Sequence, residues 1–137
     1  MRASLRSGLF FMTFVHVTVG SWTLFFPRSF YGGIPTVDDY PPFNEHLFRD
    51  YGAMNLAMAV VLCAAAVFLE RTMVYVALTS SIFWAVPHLV FHAAHPSRTA
   101  ASMLVAVLIV IAAIPLVLLL LTHGALPAGE RRRPSLR

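Results

Sequence analysis

Residues 103–122 read MLVAVLIVIAAIPLVLLLLT. No position in this stretch is charged, and Thr122 brings its one hydroxyl. A helix rises about 1.5 Å per residue, so twenty residues span about 30 Å, the thickness of the hydrocarbon layer of a bilayer. An apolar surface all round the helix leaves no face for water. The stretch therefore predicts a membrane-crossing helix, and it sets lipid as the solvent in which the rest of the chain is to be read.

Working outward, three more segments approach the same length. The spans run at about 8–26, 47–69, 73–91 and 102–121. The whole chain of 137 residues is 58% hydrophobic and 12% charged, against about 25% charged in a soluble domain. One core of this size cannot hide that much apolar surface from water. The first span follows Arg2 and Arg6, as a secretory leader would. Its bulky end, Phe25-Phe26-Pro27-Arg28, offers no small-residue cleavage site, so a retained helix is expected. The fold class is all-α: a four-helix transmembrane bundle, with residues 1–122 as its single domain and 123–137 as a basic, disordered cytoplasmic tail.

The ten basic residues are all arginine, and their placement predicts orientation. Arg2, Arg6, Arg71, Arg131, Arg132, Arg133 and Arg137 fall on one side of a four-span chain. Arg28, Arg98 and Arg49 fall on the other. The positive-inside bias puts both termini in the cytoplasm of a plasma-membrane protein. The run PRSFYGGIPTVDDYPPFN between the first two spans then faces outward. Its Pro, Gly and Asp content reads as a long loop of ordered turns rather than a helix, with Tyr31, Tyr40 and Phe43 at the membrane interface. Glu70-Arg71-Thr72 leaves little between the second and third spans, which form an antiparallel hairpin.

That hairpin brings two polar stretches to one level. The second span opens FNEHLFRDYGAMN and the third closes WAVPHLVFHAAHP. At about 100° per residue, His88, His92 and His95 share one helix face. Pro87, ahead of them, leaves the Phe83 carbonyl without its helical donor. Asn44 is a suitable N-cap, and Glu45 suits the first turn beside the helix dipole. Glu45 and Arg49 are one turn apart, as are His46 and Asp50. Ionisable groups at membrane depth are functional candidates that need partners; Arg49 with Glu45, and Asp50 with a histidine, are the expected pairs. Gly52, Ala53 and Ala57, and Gly20 and Ser21 on the first span, would admit close helix approach. His16, Asn55 and Trp84 would close the floor of the pocket.

The candidate ligand-binding set is therefore Glu45, His46, Arg49, Asp50, His88 and His92, around a quinone-like or other redox head group. Arg49 would hold an anion or carbonyl, Asp50 would orient a histidine, and a histidine would exchange the proton. A transition metal on His88, His92, His95 and His46 is one alternative. A haem between His16 and His88 is another. A third is a salt-bridged polar plug in an accessory subunit without chemistry, meeting a membrane partner or a second copy through the fourth span. Transport by a lone copy is disfavoured by four spans without internal symmetry. Six histidines are too few for the ligand set of a membrane di-iron desaturase. The single Cys63 excludes an intrachain disulfide, and no phosphate loop, dinucleotide fingerprint, nucleophile elbow or nucleic-acid stripe is present.

The motifs Asn44-Glu45-His46, Arg49-Asp50, Gly52, Pro87-His88 and His92 resemble the DoxX-like class of small bacterial four-helix membrane proteins, over the first three spans. The resemblance implies a four-helix bundle, in some members tied to quinone-linked sulfur or respiratory metabolism. The paired cysteines of thiol-active relatives are missing here.

Overall fold

The computed structural model describes residues 1–39, 42–97 and 100–126. Among them there are five helices and no strand: α1 (Arg2–Phe25), α2 (Pro27–Gly33), α3 (Glu45–Phe68), α4 (Arg71–Ala94) and α5 (Ala101–Ala125). All but α2 are long and apolar enough to cross a membrane. Their outer faces carry bare hydrocarbon: Phe83 is 74% exposed and Leu120 76%. Such surfaces are stable only against lipid or another apolar partner. Hydroxyls inside the long helices bond back to the preceding turn, Thr13 to Leu9 O at 2.9 Å and Thr122 to Leu118 O at 2.7 Å. Each is thereby satisfied without water, as a hydrocarbon solvent requires.

The helices exceed their expected bounds at several ends. α1 starts at Arg2 rather than near residue 8, and α5 continues through His123 to Ala125. The first part of the expected tail is therefore helical; the remainder, with Arg131, Arg132, Arg133 and Arg137, lies outside the described residues, as do Tyr40 and Arg98. The reading of residues 27–44 as turns is also corrected. Pro27 opens a seven-residue helix at its first position, where its missing N–H costs nothing and its fixed φ is already helical. Turns follow over 34–39.

An aromatic cluster seats α2 on the bundle. Phe30 meets Trp22 edge-on at 5.4 Å, Tyr31 meets Phe48 at 5.7 Å, and Phe43 stacks on Phe48 at 5.6 Å. Arg28 lies over Phe43 at 4.6 Å, and Trp22 donates its indole N–H to Ser29 Oγ at 3.1 Å.

α1 and α3 run antiparallel and pack most closely, with α4 on α5 next; the α3–α4 hairpin is the looser contact. The α1–α3 crossing is set by Gly20 and Gly52. A Cβ on Gly52 would fall 2.6 Å from Leu24 N and 2.8 Å from Gly20 O. Only hydrogen fits there, so the backbones touch. Ala53 and Ala57 face outward instead. α3 ends at Leu69, whose left-handed φ of 48° turns the chain sharply into α4.

The hydrophobic core is lopsided. Leu5, Leu9 and Met12, with Leu62, Ala65 and Ala66, Val74, Ala77 and Leu78, and Leu118 and Ala125, form one buried cluster. These are the first half of α1, the last half of α3, the first half of α4 and the last half of α5. The core therefore fills one end of the bundle, and polar residues begin where it stops.

Candidate functional site

A cleft of about 110 Å³ opens just past the core, lined by His16 of α1, Tyr51, Met54, Asn55 and Met58 of α3, and Ser81 and Trp84 of α4. The α3 residues recur at three- and four-residue steps, which puts them on one helix face. Ser81, Trp84, His88 and His92 form the matching stripe on α4. Met54 is 69% exposed and forms the outer rim of the cleft.

The polar atoms of the cleft have defined roles. Asn55 donates Nδ2–H to Tyr51 O at 2.8 Å. A carbonyl can only accept, so the amide nitrogen faces it and Oδ1 faces the other way. Asn55 Oδ1 lies 2.9 Å from His16 Nδ1, and an amide oxygen likewise only accepts. His16 therefore donates from Nδ1, and in that tautomer of the neutral ring Nε2 keeps a lone pair. Ser81 donates to Ala77 O at 2.9 Å, which leaves its oxygen as an acceptor. The Trp84 indole and the Tyr51 phenol bring donors. Buried at 6% exposure, Asn55 is anchored on both sides and fixes the tautomer of His16.

From the cleft a file of rings runs along α4. Trp84 meets His16 edge-on at 6.1 Å and stacks on His88 at 5.1 Å. His88 meets His92 edge-on at 4.6 Å. Phe91 contacts His92 at 5.4 Å and stacks on His95 at 4.5 Å. His95 caps the helix end, its Nδ1–H donating to Phe91 O at 3.0 Å. Half-buried His88 and His92 meet ring to ring on α4, while exposed His95 stacks on Phe91 at the helix end.

The start of α3 is arranged differently from the converging set expected. Asn44 caps the helix, its side chain accepting from Leu47 N at 3.2 Å. Arg49 pairs with Glu45, Nε and Nη2 reaching Oε1 at 2.9 and 2.8 Å. Its Nη1 donates to Leu24 O at 2.6 Å, one of the last carbonyls that α1 leaves without a helical donor. Arg49 thus ties the end of α1 to the start of α3. His46 and Asp50 lie 3.4 Å apart on the same helix, 85% and 59% exposed at the side chain. Glu45, His46, Arg49 and Asp50 pair along α3, and none of them lines the cleft.

Among the described residues no three His, Cys, Asp or Glu side chains are placed to share one metal ion; His46, His88, His92 and His95 are not gathered at a point. For the haem pair, the Trp84 indole contacts both His16 and His88, and the cleft is small beside the roughly 300 Å³ or more of pockets that hold drug-sized ligands.

The lining residues Tyr51, Met54, Met58 and Ser81 were outside the sequence-derived set. Their signal was spacing: Tyr51 and Met58 lie four and three residues from Asn55, Met54 lies three from Tyr51, and Ser81 lies three from Trp84. Neither a family model, nor a curated protein, nor a solved structure matches this chain.

Proposed function

We propose that this is a multi-pass membrane protein that binds the ring of a quinone-type head group in the cleft between α1, α3 and α4. The observation that carries the reading is the Tyr51–Asn55–His16 hydrogen-bond chain beside a tryptophan and a serine in an otherwise apolar cleft. The volume is on the scale of one six-membered ring, since a dry cavity of about 150 Å³ takes benzene. A ring hydroxyl would donate to His16 Nε2 or Ser81 Oγ; a ring carbonyl would accept from Trp84 or Tyr51. Both forms of a quinone–quinol couple are thereby served, and the apolar tail would leave past Met54 into lipid. His88 and His92 would carry the accompanying proton between the cleft and the membrane surface.

This reading moves the ligand from the Glu45–Asp50 surface to the level of His16 and keeps His88 and His92. The orientation with both termini in the cytoplasm and the plasma membrane as location rest on arginine bias. Membership of the DoxX-like class rests on the sequence motifs alone, and quinone-linked metabolism in that class agrees with this ligand.

The test uses intrinsic fluorescence. The chain has two tryptophans, so Trp22→Phe isolates Trp84. A short-tailed benzoquinone added to this protein in mild detergent is expected to quench Trp84 saturably. His16→Ala should weaken the apparent affinity about five- to tenfold, the worth of one buried hydrogen bond. Linear, unsaturable quenching with one slope in both proteins would refute the proposal.

A further inference from the structure

The end of the bundle opposite the histidine stripe holds a second cavity, of about 400 Å³, lined by Arg2, Ala3, Arg6, Phe68 and Leu69. Arg2 and Arg6 lie one turn apart on α1, so their side chains share a face. Arg6 donates Nε–H to Ala66 O at 3.2 Å. That carbonyl belongs to the last turn of α3 and has no helical donor. The bond holds the guanidinium plane at the cavity wall and leaves four of its five N–H donors for another acceptor. Leu69, 9% exposed, supplies the apolar floor, and Phe68, 69% exposed, stands beside it.

The charge here is one-sided. Arg2, Arg6, Arg71 and the amino terminus face one acidic side chain at this end among the described residues, Glu70, the N-cap of α4. Arg71 is turned to Tyr75, with its guanidinium carbon 5.4 Å from the ring, so Arg2 and Arg6 are the two cations at the cavity. Two guanidinium groups one helical turn apart, one of them held by its bond to Ala66, suit the oxygens of a phosphate. The cavity also lies at the end of two helices of membrane-crossing length, with exposed Val67 and Phe68 just below it. That surface is matched to acyl chains. Basic pockets between membrane helices at this level recognise anionic head groups.

We propose that the Arg2–Arg6 cavity binds the phosphate of one anionic phospholipid, whose chains lie along α3 past Phe68 and Val67. The site is independent of the ligand in the mid-span cleft.

The experiment takes the full chain in zwitterionic detergent and counts retained lipid by native mass spectrometry. Phosphatidylglycerol competes against phosphatidylcholine of the same chains. The wild type is expected to prefer phosphatidylglycerol by roughly tenfold or more, as two arginines near a lipid phosphate predict. Arg2→Gln/Arg6→Gln should bring the preference below about twofold, while Arg71→Gln keeps it. Arg2→Gln alone leaves the Arg6–Ala66 bond intact, and should lose about fivefold even if the double variant fails to fold. Glycerol phosphate and inorganic phosphate, added as chain-free competitors, are expected to leave the bound lipid in place. Displacement by either at equal concentration would make this a site for free phosphate and overturn the proposal. So would an unchanged preference in Arg2→Gln, or a preference lost in Arg71→Gln alone.

Discussion

The amide of Asn55 faces two ways, toward the Tyr51 carbonyl with its nitrogen and toward His16 with its oxygen. In hydrocarbon neither partner has water to fall back on, so removing one strands the other. Asn55→Leu should destabilise the protein by about 1–3 kcal/mol, the cost of leaving a buried donor unmet. His16→Leu should cost less, because the Asn55 nitrogen keeps its carbonyl. The double variant should lose less than the two single losses added together, since no unsatisfied donor remains. Thermal melting of the four proteins in one detergent reads this cycle, and simple additivity would show that His16 and Asn55 are not coupled. His16 and Asn55 were visible in the sequence as polar residues deep in apolar spans. Their pairing was not, because it depends on how far α1 is rotated against α3, and the 3.6-residue period does not specify that rotation.

Helices α1 and α3 meet backbone to backbone, and the contact is unforgiving. Gly52→Ala would push a methyl group to within 2.6 Å of Leu24 N, which a main chain cannot yield as a flexible side chain would. A loss of about 1–3 kcal/mol is expected from such overpacking. Gly32→Ala meets nothing within 4 Å and should melt with the wild type; equal melting of both variants would mean that this crossing is looser than described. The small residues at 20 and 52 were legible as a contact surface, and the four long helices were legible from hydropathy alone. α2 was not, because Pro27, Gly32 and Gly33 read as breakers while Pro27 in fact starts the helix and the glycines end it. The roles of Glu45, His46, Arg49 and Asp50 were half legible. Their four-residue spacing gave the pairs, but the pairs lie along their own helix. Arg49 also closes the end of α1, a role invisible without knowing which carbonyl lies opposite.

Across the whole molecule, the turn at Leu69–Glu70 forces α3 and α4 to run in opposite directions, so His46 and His95 belong to one end and Arg71 to the other. With Cys63 replaced by serine, single cysteines at 46 and 95 should react with an impermeant maleimide from the same side of intact cells, and a cysteine at 71 only after the membrane is opened. Labelling of 46 and 95 from opposite faces would dismantle both the topology and the cleft. The one-ended core has a mechanical consequence. Leucines and alanines weld the four rods together at the Arg2 end, while at the Trp84 end the hydrogen bond from Ser97 to Asp39, at 2.6 Å, helps clasp the loops. Backbone amides near Leu62 and Leu78 should exchange with deuterium most slowly, and those of α4 beyond Trp84 faster, because local opening starts where few side chains interlock. A guest could then be admitted sideways from the lipid by a brief swing of the α4 tip away from α3, with the joint at the far end undisturbed.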